Sequence, residues 1–343
     1  MEHRACGASG LRLSVLGLGT MTFGAETDEA GSHAQLDRFV DAGGTFIDTA
    51  DVYTRGTSES IIGRWIADRG HHDDVVIATK GRFAMGDSPL DAGAGRRHLT
   101  RALDASLRRL GTDHVDLYQV HCWDPRTPLA ETLETLDGFV RDGKVRHVGW
   151  SNVTGWQLQR ILRLSEAEGW ARPVSLQPQY NLLERGIELE VLPQCLEEGV
   201  GVLPWSPLGG GWLTGKYRRD DRPSGATRLG EDPERGVEAW DRRNTERTWD
   251  IIDAVQAIAG GRGASASQVS LSWVRQRPGV TSVILGARTV EQLEDNLGSL
   301  DVTLGDVEMG TLTVLSTPPM PDYPYGFVAD EGGYPGWDDL GAR

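Results

Sequence analysis

Short apolar runs alternate with amphipathic stretches eight times along this chain, and few folds accommodate that rhythm. The runs are LSVLGLG (13–19), TFID (45–48), VVIATK (75–80), VDLYQVH (115–121), VRHVGWS (145–151), VSLQPQY (174–180), VGVLPWS (200–206) and TSVILGA (281–287). Several are apolar nearly throughout, as parallel strands buried on both faces must be. Polar, Gly or Pro residues end each run.

The intervening stretches have helical spacing. Leu99, Leu103, Leu107 and Leu110 form one stripe, and Leu129, Leu133, Leu136 and Val140 another. Leu158, Ile161, Leu162 and Ser165 repeat the pattern. Pro128 suits a first helical turn and Gly143 a helix end. Thr57-Ser58-Glu59 opens a helix, and Asp28 or Ser32 caps the first one. Strand–helix alternation repeated eight times predicts a closed (β/α)8 TIM barrel in one domain of 1–316. An open Rossmann sheet would carry GxGxxG at the start of a helix after the first strand. Here LGLGTMTFG continues as AETDEA. Two regions fall outside the rhythm. Residues 208–247, after the seventh strand, have no period and read as a lid or a mobile insertion. The tail 317–343 reads as a loose end or as a flap over the pocket carried by Tyr323, Tyr325 and Phe327.

The formal net charge of -15 and the pI near 5.0 repel nucleic acid and anionic membranes. Cys6, Cys122 and Cys195 are scattered, so neither disulfides nor a metal site is expected. With no signal-peptide pattern and no run of about 20 apolar residues, the chain reads as cytoplasmic.

A TIM barrel collects its reactive groups at the C-terminal ends of its strands. Asp48, Lys80 and His121 end successive runs, with Tyr53 just past Asp48. Such a set can protonate a carbonyl oxygen, because a proton donor must meet the charge that develops as hydride reaches carbon. A nearby ammonium is expected to lower the phenol's ordinary pKa of about 10. Each residue alone has an ordinary structural explanation. Lys80 is the hardest to explain so, since an unpaired lysine ending a buried strand is costly. Asp51 reads as structural.

Nine motifs in order carry a family resemblance: GLGTMTFG, GTFIDTADVY, GTSESIIGRWI, ATKGRF, VDLYQVH, GKVRHVGWSN, LQPQYNLL, LPWSPLGGGWLTGKY and LGARTVEQLEDNL. Over roughly residues 13–300 the chain resembles the aldo-keto reductases, in the bacterial and potassium-channel-β-subunit branch. The resemblance implies a metal-free barrel that reduces aldehydes or ketones with NADPH, in preference to NADH. It makes Tyr53 the proton donor, Lys80 its charge partner, Asp48 the counter-ion and His121 the group orienting the substrate oxygen. Thr20, Met21, Asp48, Ser151, Asn152 and Gln177 are implied at the nicotinamide, with Trp205 stacked on it where many relatives have Tyr. Ser206, Pro207, Leu208, Gly210 and Lys216 are implied at the pyrophosphate. Gly286, Ala287 and Arg288 lead into a helix whose N-terminus favours phosphate, and Arg288 and Gln292 are implied at the 2'-phosphate. Asp295, where many relatives have Glu, and Asn296 are implied at the adenine.

Phe23, Phe83, Met85 and Trp123, with the 208–240 loop, are expected to line a mouth for an aromatic, hydrophobic or sugar carbonyl. The partner is then a small molecule, and the sequence leaves room for a homo-oligomer. Other roles kept open are an NADPH-binding regulatory subunit with slow turnover and a dedicated keto-sugar or polyketide ketoreductase.

Overall fold

The structure is a computed structural model that describes residues 1–70, 72–219, 221–225, 227–234 and 236–332. It opens with an antiparallel hairpin, β1 (His3–Ala5) and β2 (Arg12–Ser14). Eight parallel strands follow: β3 (Leu16–Gly19), β4 (Phe46–Asp48), β5 (Val76–Gly81), β6 (Val115–Val120), β7 (Val145–Ser151), β8 (Ser175–Gln177), β9 (Gly201–Val202) and β10 (Val283–Leu285). They pair in the order β10-β3-β4-β5-β6-β7-β8-β9. The ends of that sheet also meet. Thr281 N donates to Val202 O at 2.9 Å and Ile284 N to Pro204 O at 3.0 Å, so the sheet curls into the expected barrel.

The strands are shorter than the apolar runs, for local reasons. The run 13–19 is not one strand but two, because the chain leaves the hairpin at Ser14 and enters the barrel at Leu16. Pro178 and Pro204 carry no amide hydrogen and interrupt the ladders of the sixth and seventh runs.

The outer helices are α1 (Glu29–Asp41), α2 (Thr57–Arg69), α3 (Arg96–Leu110), α4 (Leu129–Arg141), α5 (Gly155–Glu168) and α6 (Val191–Glu198). Asp28 is the cap of α1, its carboxylate accepting from Gly31 N at 2.8 Å, while Ser32 lies inside the helix. The stripes of α3, α4 and α5 are buried as their spacing predicts, except that Val140 of α4 is half-buried and its neighbour Phe139 is buried.

The stretch 208–247 is neither free of structure nor detached. Its described residues include a 3-10 turn (Gly209–Thr214) and the short helices α7 (Arg228–Glu231) and α8 (Trp240–Arg243). Trp212 stacks on Trp240 with ring centroids 5.0 Å apart, and Trp249 meets Trp212 edge-on at 5.6 Å. Trp249 belongs to α9 (Glu246–Arg262), which is followed by α10 (Ala266–Arg275). Beyond β10 come α11 (Val290–Leu297), α12 (Asp306–Ser316) and a final α13 (Phe327–Gly332). Of the tail aromatics, Tyr325 donates to Glu190 at 2.7 Å, whereas Tyr323 and Phe327 are exposed. Residues 333–343 of the expected flap lie outside the described residues.

Two-residue alternation builds the barrel interior in tiers. Phe46, Ala78, Leu117, Leu203 and Ile284 form an apolar floor with Cys6, Leu11 and Leu13 of the hairpin region. One step higher on the same strands, Asp48, Lys80 and Gln119 point inward and are buried. Gly149 leaves room for them. A Cβ there would lie 2.2 Å from Ser175 Oγ and 3.2 Å from Gln119 Cγ.

Outside the wall, behind Tyr53, Glu59 accepts from Thr79 Oγ1 at 2.5 Å and from Arg109 Nε at 2.7 Å. Asp51 is fully buried beside them, and neither of its carboxylate oxygens meets a well-placed donor. Burial, then the Glu59 charge, push its pKa up from 3.8 to about 7. The folded chain therefore holds this proton while the unfolded chain has released it. Stability from this group is full below about pH 4 and is lost as pH rises through about 7. Relative to the native chain, Asp51→Asn should gain melting temperature progressively from about pH 4 to about pH 7 and no further above that. A difference independent of pH, read by thermal melts at several pH values, would contradict the buried neutral acid.

Candidate active site

β4 delivers Asp48 to the C-terminal end of the barrel, and the chain stays tied to β5 beyond it. Thr49 N donates to Ala78 O at 2.9 Å and Asp51 N to Lys80 O at 3.0 Å. Tyr53 begins a tight turn in which Thr54 and Arg55 take left-handed φ values of 48° and 51°. This turn returns the phenol over Lys80.

The Lys80 ammonium has three N–H donors. It donates to Asp48 Oδ2 at 2.5 Å, to Thr49 O at 2.9 Å and to Tyr53 Oη at 3.2 Å. Lys80 is 0% and Asp48 2% exposed. The second carboxylate oxygen, Asp48 Oδ1, accepts from Gln177 Nε2 at 2.8 Å and from Gln119 Nε2 at 3.3 Å. Both buried ions are thus paired and hydrogen-bonded, the condition under which a buried ion pair is tolerated.

Burial works against the Lys80 charge, but Asp48 and Tyr53 outweigh it and hold the pKa above its ordinary value. The Tyr53 phenol departs from expectation. Lys80 does favour the phenolate, yet burial is the larger effect, Asp48 adds to it, and the pKa rises above 10. His121 is held neutral. Burial, then the Lys80 and Arg82 charges, push it well below its ordinary value. Its ring lies 5.8 Å from the Tyr53 ring and 4.6 Å from Phe83, and its buried Nδ1 has no protein partner. Asp48, Tyr53, Lys80 and His121 therefore converge.

The residues expected around the nicotinamide lie along the same rim. Ser151 Oγ donates to Gln177 O at 2.7 Å, and Asn152 Nδ2 donates to His121 O and Ser151 Oγ, each at 2.9 Å. Trp205 Nε1 donates to Asn152 Oδ1 at 3.0 Å. Thr20 Oγ1 is turned to Asp48 O at 3.0 Å, with Met21 beside it in the chain and half-buried. Ser206 takes φ 53° and donates to buried Glu238 at 2.9 Å. Pro207 and Leu208 follow, and Gly209, Gly210 and Gly211 all have positive φ, which glycine adopts without strain.

At the far end, Gly286 is exposed and Ala287 O accepts from Thr22 at 3.0 Å. Arg288 N donates to Gln292 Oε1 at 2.9 Å. The Arg288 guanidinium is held bidentately by Glu231, at 3.0 and 2.8 Å, with Glu26 at 3.6 Å. Lys216 stands near enough that partial desolvation, then the charges of Arg288 and Arg228, lower its pKa. Asp295 accepts from Ser265 at 3.0 Å and Gln268 at 3.1 Å, and Asn296 Nδ2 donates to Gly286 O.

The residues expected at the mouth are placed in different surroundings. Phe83 is half-buried against His121, Met85 is half-buried, and Trp123 meets Trp156 edge-on at 5.6 Å. Phe23 is not a surface lining residue. It is 0% exposed in the main core, because the turn after β3 folds it inward. Pro324, Tyr325 and Val328 of the tail border a groove of about 460 Å³ with Trp156, so the tail reaches the neighbour of Trp123.

Sequence reasoning missed Gln119, although its two-residue offset from His121 puts it on the same strand face. It also missed Glu26, Glu231 and Glu238, whose loops carry no periodic signal.

These residues fit a nicotinamide dinucleotide. Amide and hydroxyl groups ring the acid–base cluster, and three cations, Lys216, Arg228 and Arg288, draw together at the other end. The comparisons agree. A sequence model of the Aldo/keto reductase family matches residues 15–316. The uncharacterized oxidoreductase YrpG of Bacillus subtilis is 38% identical over 89% of this chain and 92% of its own length. A probable voltage-gated potassium channel subunit beta of rice is 34% identical, over 88% and 92%. The L-glyceraldehyde 3-phosphate reductase of Escherichia coli is 34% identical, over 88% of each chain. With a barrel of this topology and a match over nearly its whole length, the chain belongs to the aldo/keto reductase family and is an oxidoreductase.

Proposed function

We propose that this enzyme reduces an aldehyde or ketone with NADPH, Tyr53 giving its proton to the carbonyl oxygen. The observation that carries this reading is the Lys80 ammonium shared between Asp48 Oδ2 and Tyr53 Oη. Reduced nicotinamide, when bound, supplies hydride for the carbonyl carbon.

The phenol's raised pKa keeps it protonated at neutral pH, as a donor must be. When the proton leaves, the phenolate meets an ammonium already 3.2 Å away, and no buried group has to reorganise. Asp48 keeps Lys80 charged and fixed. A neutral His121 offers a hydrogen bond to the substrate oxygen without competing for the proton. The amides of Asn152 and Gln177, with Ser151, are suited to a nicotinamide carboxamide, and the Trp205 face to its ring. The preference for NADPH rests on Arg288, because a guanidinium binds phosphate bidentately. The half-buried Phe83 and the Trp123–Trp156 pair suit a substrate with an apolar or aromatic flank.

Replacing Tyr53 by Phe should leave NADPH affinity nearly unchanged and lower turnover of aromatic aldehydes by about a hundredfold or more, followed by NADPH absorbance. Equal turnover would remove Tyr53 as the acid, and tight binding with no turnover of any carbonyl by the native chain would favour a regulatory subunit. Arg288→Ala should weaken NADPH about tenfold to a hundredfold and leave NADH little changed. Parallel losses for the two cofactors, by fluorescence titration, would contradict the 2'-phosphate assignment.

A further inference from the structure

Arg288 is already occupied by two carboxylates of this same chain. Glu231 holds its guanidinium with two parallel bonds at 3.0 and 2.8 Å, the fork geometry in which arginine also receives a phosphate. Glu26 adds a looser contact at 3.6 Å from the turn before α1. Glu231 ends α7, in the insertion between β9 and β10, so the pair joins that insertion to the start of α11. Two more cations stand close by. Partial burial first, then the charges of Arg288 and Arg228, make Lys216 hold its proton less tightly than usual. Glu231 and Glu26 therefore offset a repulsive cluster of positive charge.

We infer that Glu231 is a specificity-determining residue, an internal stand-in for the 2'-phosphate that a cofactor must displace from Arg288. This rests on the dinucleotide reading proposed above. The exchange is one of anions on a single guanidinium, with no bond made or broken. NADPH gains Arg288 and loses Glu231 from it, so its net advantage over NADH is smaller than an open arginine would give. NADH leaves the Glu231–Arg288 pair in place. Glu231 thus sets how far the enzyme discriminates between the two cofactors, while Arg288 sets the direction of the preference. Because Glu231 lies on the insertion, release of the pair by the 2'-phosphate also frees one attachment of α7.

The test is titration of NADP+ and NAD+ against the native chain, Glu231→Gln, Glu231→Asp and Glu26→Gln. Glu231→Gln should bind NADP+ about three- to fivefold tighter, the range expected for losing a partly exposed ion-pair competitor. NAD+ affinity should hold. Glu26→Gln should give a smaller gain, as its single longer contact implies, and Glu231→Asp should stay near the native affinity. In an Arg288→Ala background, Glu231→Gln should change nothing. Unchanged or weaker NADP+ binding by Glu231→Gln would overturn the inference alone, as would an equal gain for NAD+ or a gain that survives Arg288→Ala. Failure of the native chain to bind either nucleotide would overturn the dinucleotide reading with it.

Discussion

The Lys80–Asp48 ion pair is the constraint around which this barrel is arranged. An ammonium with no exposed surface is costly unless its donors are filled, and here all three are, by Asp48, Thr49 and Tyr53. Four strands supply what the pair needs. β4 brings the carboxylate, β5 the lysine, and β8, with β6, the amides that close the remaining carboxylate oxygen. Removing one partner of such a pair costs about 3–5 kcal/mol by leaving the other charge buried. The polar tier and the apolar floor beneath it are alternate positions on the same strands, so the register that packs Phe46, Ala78 and Leu117 also aims Asp48, Lys80 and Gln119 inward. Core and site share one geometric cause.

Burial has a second consequence, for the phenol. Proximity to an ammonium suggests a more acidic tyrosine, but exclusion of water from the cluster counts for more and keeps the proton in place. In the proposed reaction the ammonium acts after transfer, stabilising the phenolate rather than creating it in the resting protein. The same exclusion of water, with two neighbouring cations, keeps His121 uncharged. Behind the wall, Asp51 extends the theme. Burial and the Glu59 charge push its pKa up to about 7, so it keeps a proton well above the ordinary carboxylate range.

Much of the fold was legible because its signals are local. Eight apolar runs and the leucine stripes of α3, α4 and α5 came directly from spacing. Asp48, Lys80 and His121 stood out as polar ends of apolar strands, and the order of the motifs tied them to Tyr53. What was not legible depends on distant partners. Strand boundaries within LSVLGLG depend on where the hairpin folds back, and the fate of Phe23 depends on how the β3 turn packs. The insertion 208–247 looked featureless because Trp212, Trp240 and Trp249 hold it through contacts with no period. The pairing of Arg288 with Glu231 joins residues 57 apart in sequence. Asp295, expected at the adenine, accepts from Ser265 and Gln268, partners 30 and 27 residues away that no local pattern announces.

The account turns on Lys80 as the charge that lets Tyr53 release its proton. The most direct measurement is the single-turnover rate of NADPH oxidation by an aromatic aldehyde in Lys80→Met, taken on protein shown by circular dichroism to be folded and saturated with cofactor. A fall on the order of a hundredfold or more, with cofactor affinity retained, is the predicted result. A rate equal to that of the native chain would contradict the account, since the phenol would then be giving up its proton without the ammonium.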